Sequence, residues 1–168
     1  MPEAPHVCMR QATIDDKPVV GGLLQVYLRD MAPFTGDDTD QPEPYAYPCF
    51  DLYWSADGMA EGRVPYLIVA NDEVAGFAFV NRHSRLGNTD VWNIAEFYVQ
   101  RTRRREGVGK RAARKLFGMH PGTWEITVLR ANAPAHAFWL SAIAEHEFKI
   151  VTTDPAVWHG DVIIFESQ

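Results

Sequence analysis

Residues 96–116 read EFYVQRTRRREGVGKRAARKL. Val91, Ile94, Phe97 and Val99 bring β-branched and aromatic residues to this stretch and its approach without a helical stripe, which predicts a strand. Gln100 to Arg105 is a basic turn. Gly107 and Gly109 then open a helix. Its small or apolar residues Gly109, Ala112, Ala113, Leu116 and Phe117 recur at i, i+3, i+4, i+7 and i+8, so one face is buried. Pro121–Gly122 stops it. Glycine at 107 and 109 lets a ligand meet the main chain with no side chain in between. The first turn of a helix has unpaired N–H groups and partial positive charge. Together these predict an anion site suited to phosphate. Arg101, Arg103, Arg104, Arg105, Lys110 and Arg111 add positive charge at its rim.

The chain around this passage has 168 residues, enough for one domain with a core that needs no staples. Hydrophobic residues make up 46% and charged residues 23%, within the globular range. No apolar run reaches membrane-spanning length, and MPEAPHVCMR has no signal-peptide core. Cys8 and Cys49 lack metal spacing and read as free thiols of a reducing cytoplasm. A net charge of −6 argues against nucleic acid as a main partner.

His6 to Gln11 reads as a first strand. Thr13 to Asp16 has capping-box spacing and Pro18 suits a first helical turn. Val20, Leu23, Leu24, Tyr27, Leu28 and Met31 continue as an amphipathic helix. Residues 32–63 then form a distinct acidic, aromatic segment. From Ala32 to Gly62 it holds Asp37, Asp38, Asp40, Glu43, Asp51, Asp57 and Glu61 with no Lys or Arg, threaded by Tyr45, Tyr47, Phe50, Tyr53 and Trp54. A short helix is expected near Phe50 to Ser55. Pro65 to Asn71 and Val74 to Asn81 are antiparallel partners across a tight turn, and His83 to Asp90 is polar loop. Trp124, Ile126 and Val128 alternate with Glu125 and Thr127, a further strand. Asn132 is a good N-cap, with Pro134 in the first turn of a helix. There Ala135, Phe138, Trp139, Ala142 and Ile143 repeat the buried-face spacing. His146 to Thr153 and Asp161 to Glu166 complete a mixed α/β (α+β) chain with one central sheet of six to seven strands.

Two other phosphate loops can be set aside. The P-loop needs Lys-Ser/Thr after its second glycine, whereas Gly109 is followed by Lys110-Arg111. The dinucleotide fingerprint needs a third glycine. Arg104-Arg105-Glu106-Gly107-Val108-Gly109, set between strand and helix, resembles the acyl-CoA pyrophosphate loop of the GNAT N-acetyltransferase superfamily. The likeness extends along the chain through Gly76-Phe77-Ala78, IAEFYV at 94–99 and NAPAHAFW at 132–139. It implies a single GNAT-type domain over residues 1–168, helices on both sheet faces, and fourth and fifth strands that splay apart to admit the pantetheine arm. By this resemblance Phe97, Tyr98, Val99, Arg104, Arg105, Glu106, Gly107, Val108, Gly109, Lys110, Asn132, Phe138 and Trp139 would contact acetyl-CoA. Residues 32–63 would lie on the substrate side, with Tyr53 and Trp54 as contacts. The partners implied are acetyl-CoA and a small amine acceptor, with room for a homodimer and without nucleic acid, membrane or metal.

Amine acylation needs a neutral nitrogen, hence a base acting directly or through water. Glu96, on the strand that would flank the thioester, is the first candidate. Asn93 and Asp90 stand behind it. His136 is expected on the outer face of its helix, and the other histidines lack ligand spacing. Many members of the superfamily carry tyrosine where Trp139 stands, and an indole N–H is no usable acid. The expected function is acetyl-CoA-dependent transfer to a primary amine of a small molecule, cationic if the acidic segment recognises it, by direct attack in a ternary complex. The alternatives are a non-catalytic acyl-CoA-binding sensor and a phosphate-binding protein of another class.

Overall fold

In a computed structural model the chain is described for residues 3–36 and 44–168. Seven strands form one mixed sheet in the order β1-β2-β3-β4-β5-β7-β6. Strand β1 is Val7–Gln11, β2 Val64–Ala70, β3 Glu73–Asn81, β4 Val91–Val99, β5 Gly122–Leu129, β6 Phe148–Thr152 and β7 Gly160–Ser167. All neighbours are antiparallel except β4 and β5. The β2–β3 hairpin turns through Asn71 and Asp72, both left-handed, a conformation that short polar side chains tolerate best after glycine. The last hairpin inserts β7 between β5 and β6.

Helix α1 (Lys17–Thr35) follows a 3-10 turn at Ile14–Asp16, where the Thr13 N–H donates to Asp16 Oδ2 at 2.8 Å. It runs through Pro33 to Thr35, four residues past Met31 of its stripe, and Gly36 caps it in the left-handed region. The expected short helix is a 3-10 turn at Asp51–Trp54 joined to α2, Ala56–Ala60. Helices α3 (Val108–Met119) and α4 (Ala133–Ala142) begin where glycine and Asn132 predict. No described helix is long and apolar enough to cross a membrane.

The alternation of β3 divides the core. Phe77 and Phe79 meet Val20 and Leu24 of α1 on one face. Ala78 and Val80 meet Ala113, Leu116 and Phe117 of α3 and Trp139 of α4 on the other. Glu125 departs from expectation, because it is fully buried although it alternates with core residues of β5.

One irregularity positions the site. Between β3 and β4 the register slips, pairing Phe79 with Glu96 but Val80 with Ile94, so Ala95 is an extra residue in β4. Such a bulge shifts the alternation by one. Ile94 and Phe97 pack on the α3–α4 side, while Ala95 and Tyr98 pack on the α1 side. The parallel ladder to β5 ends at the same place, its last pair being Ile94 and Ile126. Beyond it β4 and β5 part.

Two core positions test this packing. A Cβ on Gly76 would lie 1.9 Å from the Tyr98 carbonyl oxygen. Gly76→Ala should therefore push β3 from β4 and cost about 1–3 kcal/mol or more, seen as a lower urea midpoint. Trp139 is 6% exposed and meets Phe97 and Phe138 edge-on at 5.1 and 4.8 Å. Trp139→Ala should cost about 3–5 kcal/mol, and Trp139→Phe a small part of that. Equal unfolding midpoints for the two variants would contradict a packing role for the indole.

Candidate functional site

Where β4 and β5 diverge, two clefts meet. The larger, of about 690 Å³, lies toward the basic turn and is lined by α1, the end of β4, the start of α3 and α4. The smaller, of about 350 Å³, lies toward β5. Tyr27, Met31, Phe97, Asn132, Ala135 and Trp139 line both and form the wall between them.

The larger cleft takes in all the residues expected to touch the cosubstrate except Glu106. Arg105 and Gly107 are both left-handed, a backbone pattern that turns successive N–H groups toward an anion. Gly107 is the N-cap of α3 and supplies no side-chain hydrogen bond, leaving the first-turn N–H groups open. Gly109 has a different reason. A Cβ there would lie 3.0 Å from the Phe138 ring and 3.5 Å from Val99 Cγ2, so its bare backbone lets α4 close on α3.

The six expected rim cations divide their duties. Asp30 of α1 holds Arg101 at 2.6 Å and Arg104 at 3.5 Å. Arg104 Nε also donates to the Val99 carbonyl at 2.8 Å. Arg103 turns away to Glu73, and Arg111 Nη1 donates to the Glu106 carbonyl at 3.1 Å. Among the described residues Lys110 reaches only the Ser141 hydroxyl, at 3.2 Å. Lys110 and Arg105 therefore remain as charges facing the cleft without a described carboxylate against them.

Glu96 lines the smaller cleft. Because of the bulge it faces α1 and the acidic segment, where Tyr47 donates its hydroxyl to Oε1 at 3.0 Å. Burial pushes the carboxyl up to about 7, and hydrogen bonding from Tyr27 and Tyr47 pulls the other way. The same burial, with the nearby carboxylate, raises both phenols well above the tyrosine range. Both phenols thus keep their protons and act as donors to Glu96.

Other expected residues fall elsewhere. Tyr53 is 1% exposed, stacked on Phe79 at 4.1 Å, and its hydroxyl accepts from Asn81 Nδ2. Burial pushes that phenol up to about 12. Trp54 packs edge-on against Phe50, and neither residue lines either cleft. Asn93 is buried and donates to Asn81, while Asp90 pairs with Arg82. Asp51 is bound to Lys17 and Glu61 to Arg63. Asp37, Asp38, Asp40 and Glu43 lie outside the described residues. Asn132 caps α4 by accepting from the Ala135 N–H at 3.2 Å, and its amide reaches Met31 Sδ. Among the described residues no group of three or more His, Cys, Asp or Glu side chains could hold a metal ion. In the sequence Tyr27 belongs to the apolar stripe of α1 and Tyr47 to the aromatics of the acidic segment. Nothing in their spacing pairs them with Glu96.

No curated protein sequence matches the chain. Solved structures do. An aminoglycoside acetyltransferase, AAC(6')-Ib, crystallised with coenzyme A, is 17% identical over 96% of this chain and 95% of its own, with a TM-score of 0.69. Diaminobutyrate acetyltransferase EctA from Paenibacillus lautus, in complex with L-2,4-diaminobutyric acid and coenzyme A, is 15% identical over 97% of this chain and 96% of its own (TM-score 0.61). The PaiA N-acetyltransferase from Thermoplasma acidophilum, in complex with coenzyme A, is 13% identical over 96% and 99% of the two chains (TM-score 0.60). At these identities the likeness is one of fold. The sequence itself matches the acetyltransferase (GNAT) family over residues 23–142, most of its length, and the chain belongs to that family.

Proposed function

We propose that the protein is an acetyl-CoA-dependent N-acetyltransferase that acylates a primary amine of a small molecule by direct attack in a ternary complex. The observation that carries this reading is the position of Glu96. It opens into the smaller cleft where the two clefts meet, with a carboxyl tuned to about 7. Acetyl-CoA supplies the acyl group as a thioester. Its phosphates suit the open N–H groups of α3 with Arg105 and Lys110, and the unpaired edge of β4 beyond Ile94 suits an extended amide-bearing arm.

Glu96 removes a proton from the acceptor ammonium and returns it to solvent; the freed amine attacks the thioester carbonyl, and as the C–S bond breaks the nitrogen gives up its second proton to solvent, leaving the neutral amide. A base with a pKa near the working pH combines ionised population with proton affinity. Trp139 packs at the junction and offers no acid. The departing thiolate needs little help, because thiols ionise near pH 8.5, and it takes its proton from solvent. Tyr27 and Tyr47 hold the carboxylate and stabilise its charged form.

The pH dependence follows in sign. The folded-state pKa of Glu96, about 7, lies above its ordinary 4.5. Between those values the folded protein keeps a proton that the unfolded chain has lost, so this group's contribution to stability falls as pH rises through that window. The same ionisation switches the base on. Glu96→Gln should therefore melt higher than the wild type at pH 8 but not at pH 4. Its turnover should drop about 10²–10⁴-fold at pH 7, with a smaller loss at high pH, where the amine is already neutral. Tyr47→Phe removes a donor to the carboxylate and should move the acid limb of kcat/KM to higher pH. A Glu96→Gln enzyme that keeps most of its turnover at pH 7 would reassign the base.

The cosubstrate site has a separate check. Gly109→Asp would collide with Phe138 and so confound charge with packing. Lys110→Glu changes charge at an exposed end, and it should weaken acetyl-CoA binding at least tenfold by calorimetry with little change in melting temperature. Undiminished affinity in that variant would remove the phosphates from this turn.

A further inference from the structure

The smaller cleft has two charged side chains among its described lining, Glu96 and Arg85. The proposed chemistry uses the first and gives the second nothing to do. Arg85 is exposed, and its guanidinium lies 4.5 Å from the centre of the Trp158 ring, a cation–π contact. Arg82 is paired with Asp90 and Arg101 with Asp30, but no described carboxylate lies against Arg85.

Both halves of this pair are held from below. Buried Glu125 of β5 accepts from Ser84 Oγ and Asn88 Nδ2, each at 2.7 Å, and from the Arg85 N–H at 3.1 Å. Ser84 Oγ in turn accepts from the backbone N–H groups of Leu86 and Asn88. A buried carboxylate is costly unless donors meet it, and the donors here are the turn that presents Arg85. On the other side, a Cβ on Gly160 would lie 2.1 Å from Trp158 ring atoms and 2.6 Å from the Val128 carbonyl. The indole thus lies where only glycine leaves space. Thr153 Oγ1, 2.7 Å from the Trp158 carbonyl, closes the same turn.

A guanidinium stacked on an indole keeps its in-plane N–H edge free, and that edge matches a carboxylate or phosphate in bidentate fashion. Stacking also removes rotamer freedom before any ligand arrives, lowering the cost of ordering it. We propose that the acceptor carries an anionic oxygen group, carboxylate or phosphate, which pairs with Arg85 while its amine lies at Glu96. The assignment rests on the acyl-transfer reading and names the acceptor class within it. It runs against a purely cationic acceptor, since Asp51, Asp57 and Glu61 line neither cleft.

The test scores CoA release by the full chain with ω-amino carboxylic acids from glycine to 6-aminohexanoate and with ω-aminoalkyl phosphonates. Each is set against a neutral twin, the amide or the alcohol, bearing the same amine. The wild type should prefer the anionic member of a pair by about tenfold or more in kcat/KM, expressed mainly in KM, as expected for one charge-assisted contact. The better of the two arms identifies the anion. Arg85→Gln should bring the anionic member down to its twin, Arg85→Lys should restore part of the preference, and acetyl-CoA affinity measured by calorimetry should not move. Equal use of both twins by the wild type, or a preference that survives Arg85→Gln, overturns the acceptor assignment and leaves acyl transfer standing. Absence of CoA release from every amine overturns the transferase reading and this assignment with it.

Discussion

The parallel ladder between β4 and β5 ends after Ile94 and Ile126, in the middle of a seven-stranded sheet. Backbone N–H and C=O groups inside a protein need partners, so strands that part must open the gap to water or to a ligand with its own amides. The bulge at Ala95 sits at the point of separation. It bends β4 away from β5 and reverses which face the next residues present. Without the extra residue, Glu96 would follow Ile94 onto the α3–α4 side. With it, Glu96 turns toward Tyr27 and Tyr47. One irregularity therefore makes both the opening and the orientation of its carboxylate.

That carboxylate works against the fold at neutral pH. Desolvation raises its pKa, and two phenols lower it only partway. A residue chosen for stability alone would be neutral here, and an unpaired acid is the usual sign of a site that trades stability for function. Glu125 is the contrast within the same sheet. It is buried more completely, yet three donors surround it. Glu125 is tied into the turn of residues 84–88 by these bonds, whereas Glu96 meets two phenols and lines a cleft.

Local signals in the sequence resolved the elements well. The capping box at Thr13, the left-handed hairpin at Asn71–Asp72, the glycine start of α3 and the Asn132 cap each depend on residues within a few positions of one another. What escaped depends on distant partners. The bulge is a register between two strands, and no residue near Ala95 announces it. Tyr27 sits on an ordinary amphipathic stripe and Tyr47 in a loop, and only the packing of α1 and the acidic segment over β4 brings them to Glu96. Six clustered cations looked equivalent until Asp30, Glu73 and the Glu106 carbonyl claimed four of them. Tyr53 shows the opposite error. An aromatic among acidic residues suggested a ligand contact, whereas its ring completes the core beneath Phe79.

The wall shared by the two clefts explains how a tryptophan can stand where a phenol is common. Phe97, Ala135, Met31 and Trp139 make the junction largely apolar, and charges bordering such a junction interact more strongly than they would in water. The carboxylate lies on one side and the backbone cradle of α3 on the other. Trp139 is pinned by Phe97 and Phe138, and Phe138 in turn rests on Gly109. Gly109, two residues past the Gly107 cap of α3, is thus the seat of the aromatic stack at the junction of the two clefts. The large rigid indole, 6% exposed, fills the junction of the two clefts. On the acyl-transfer reading proposed above the leaving group is a thiolate, which asks this position for a rigid wall more than for a proton.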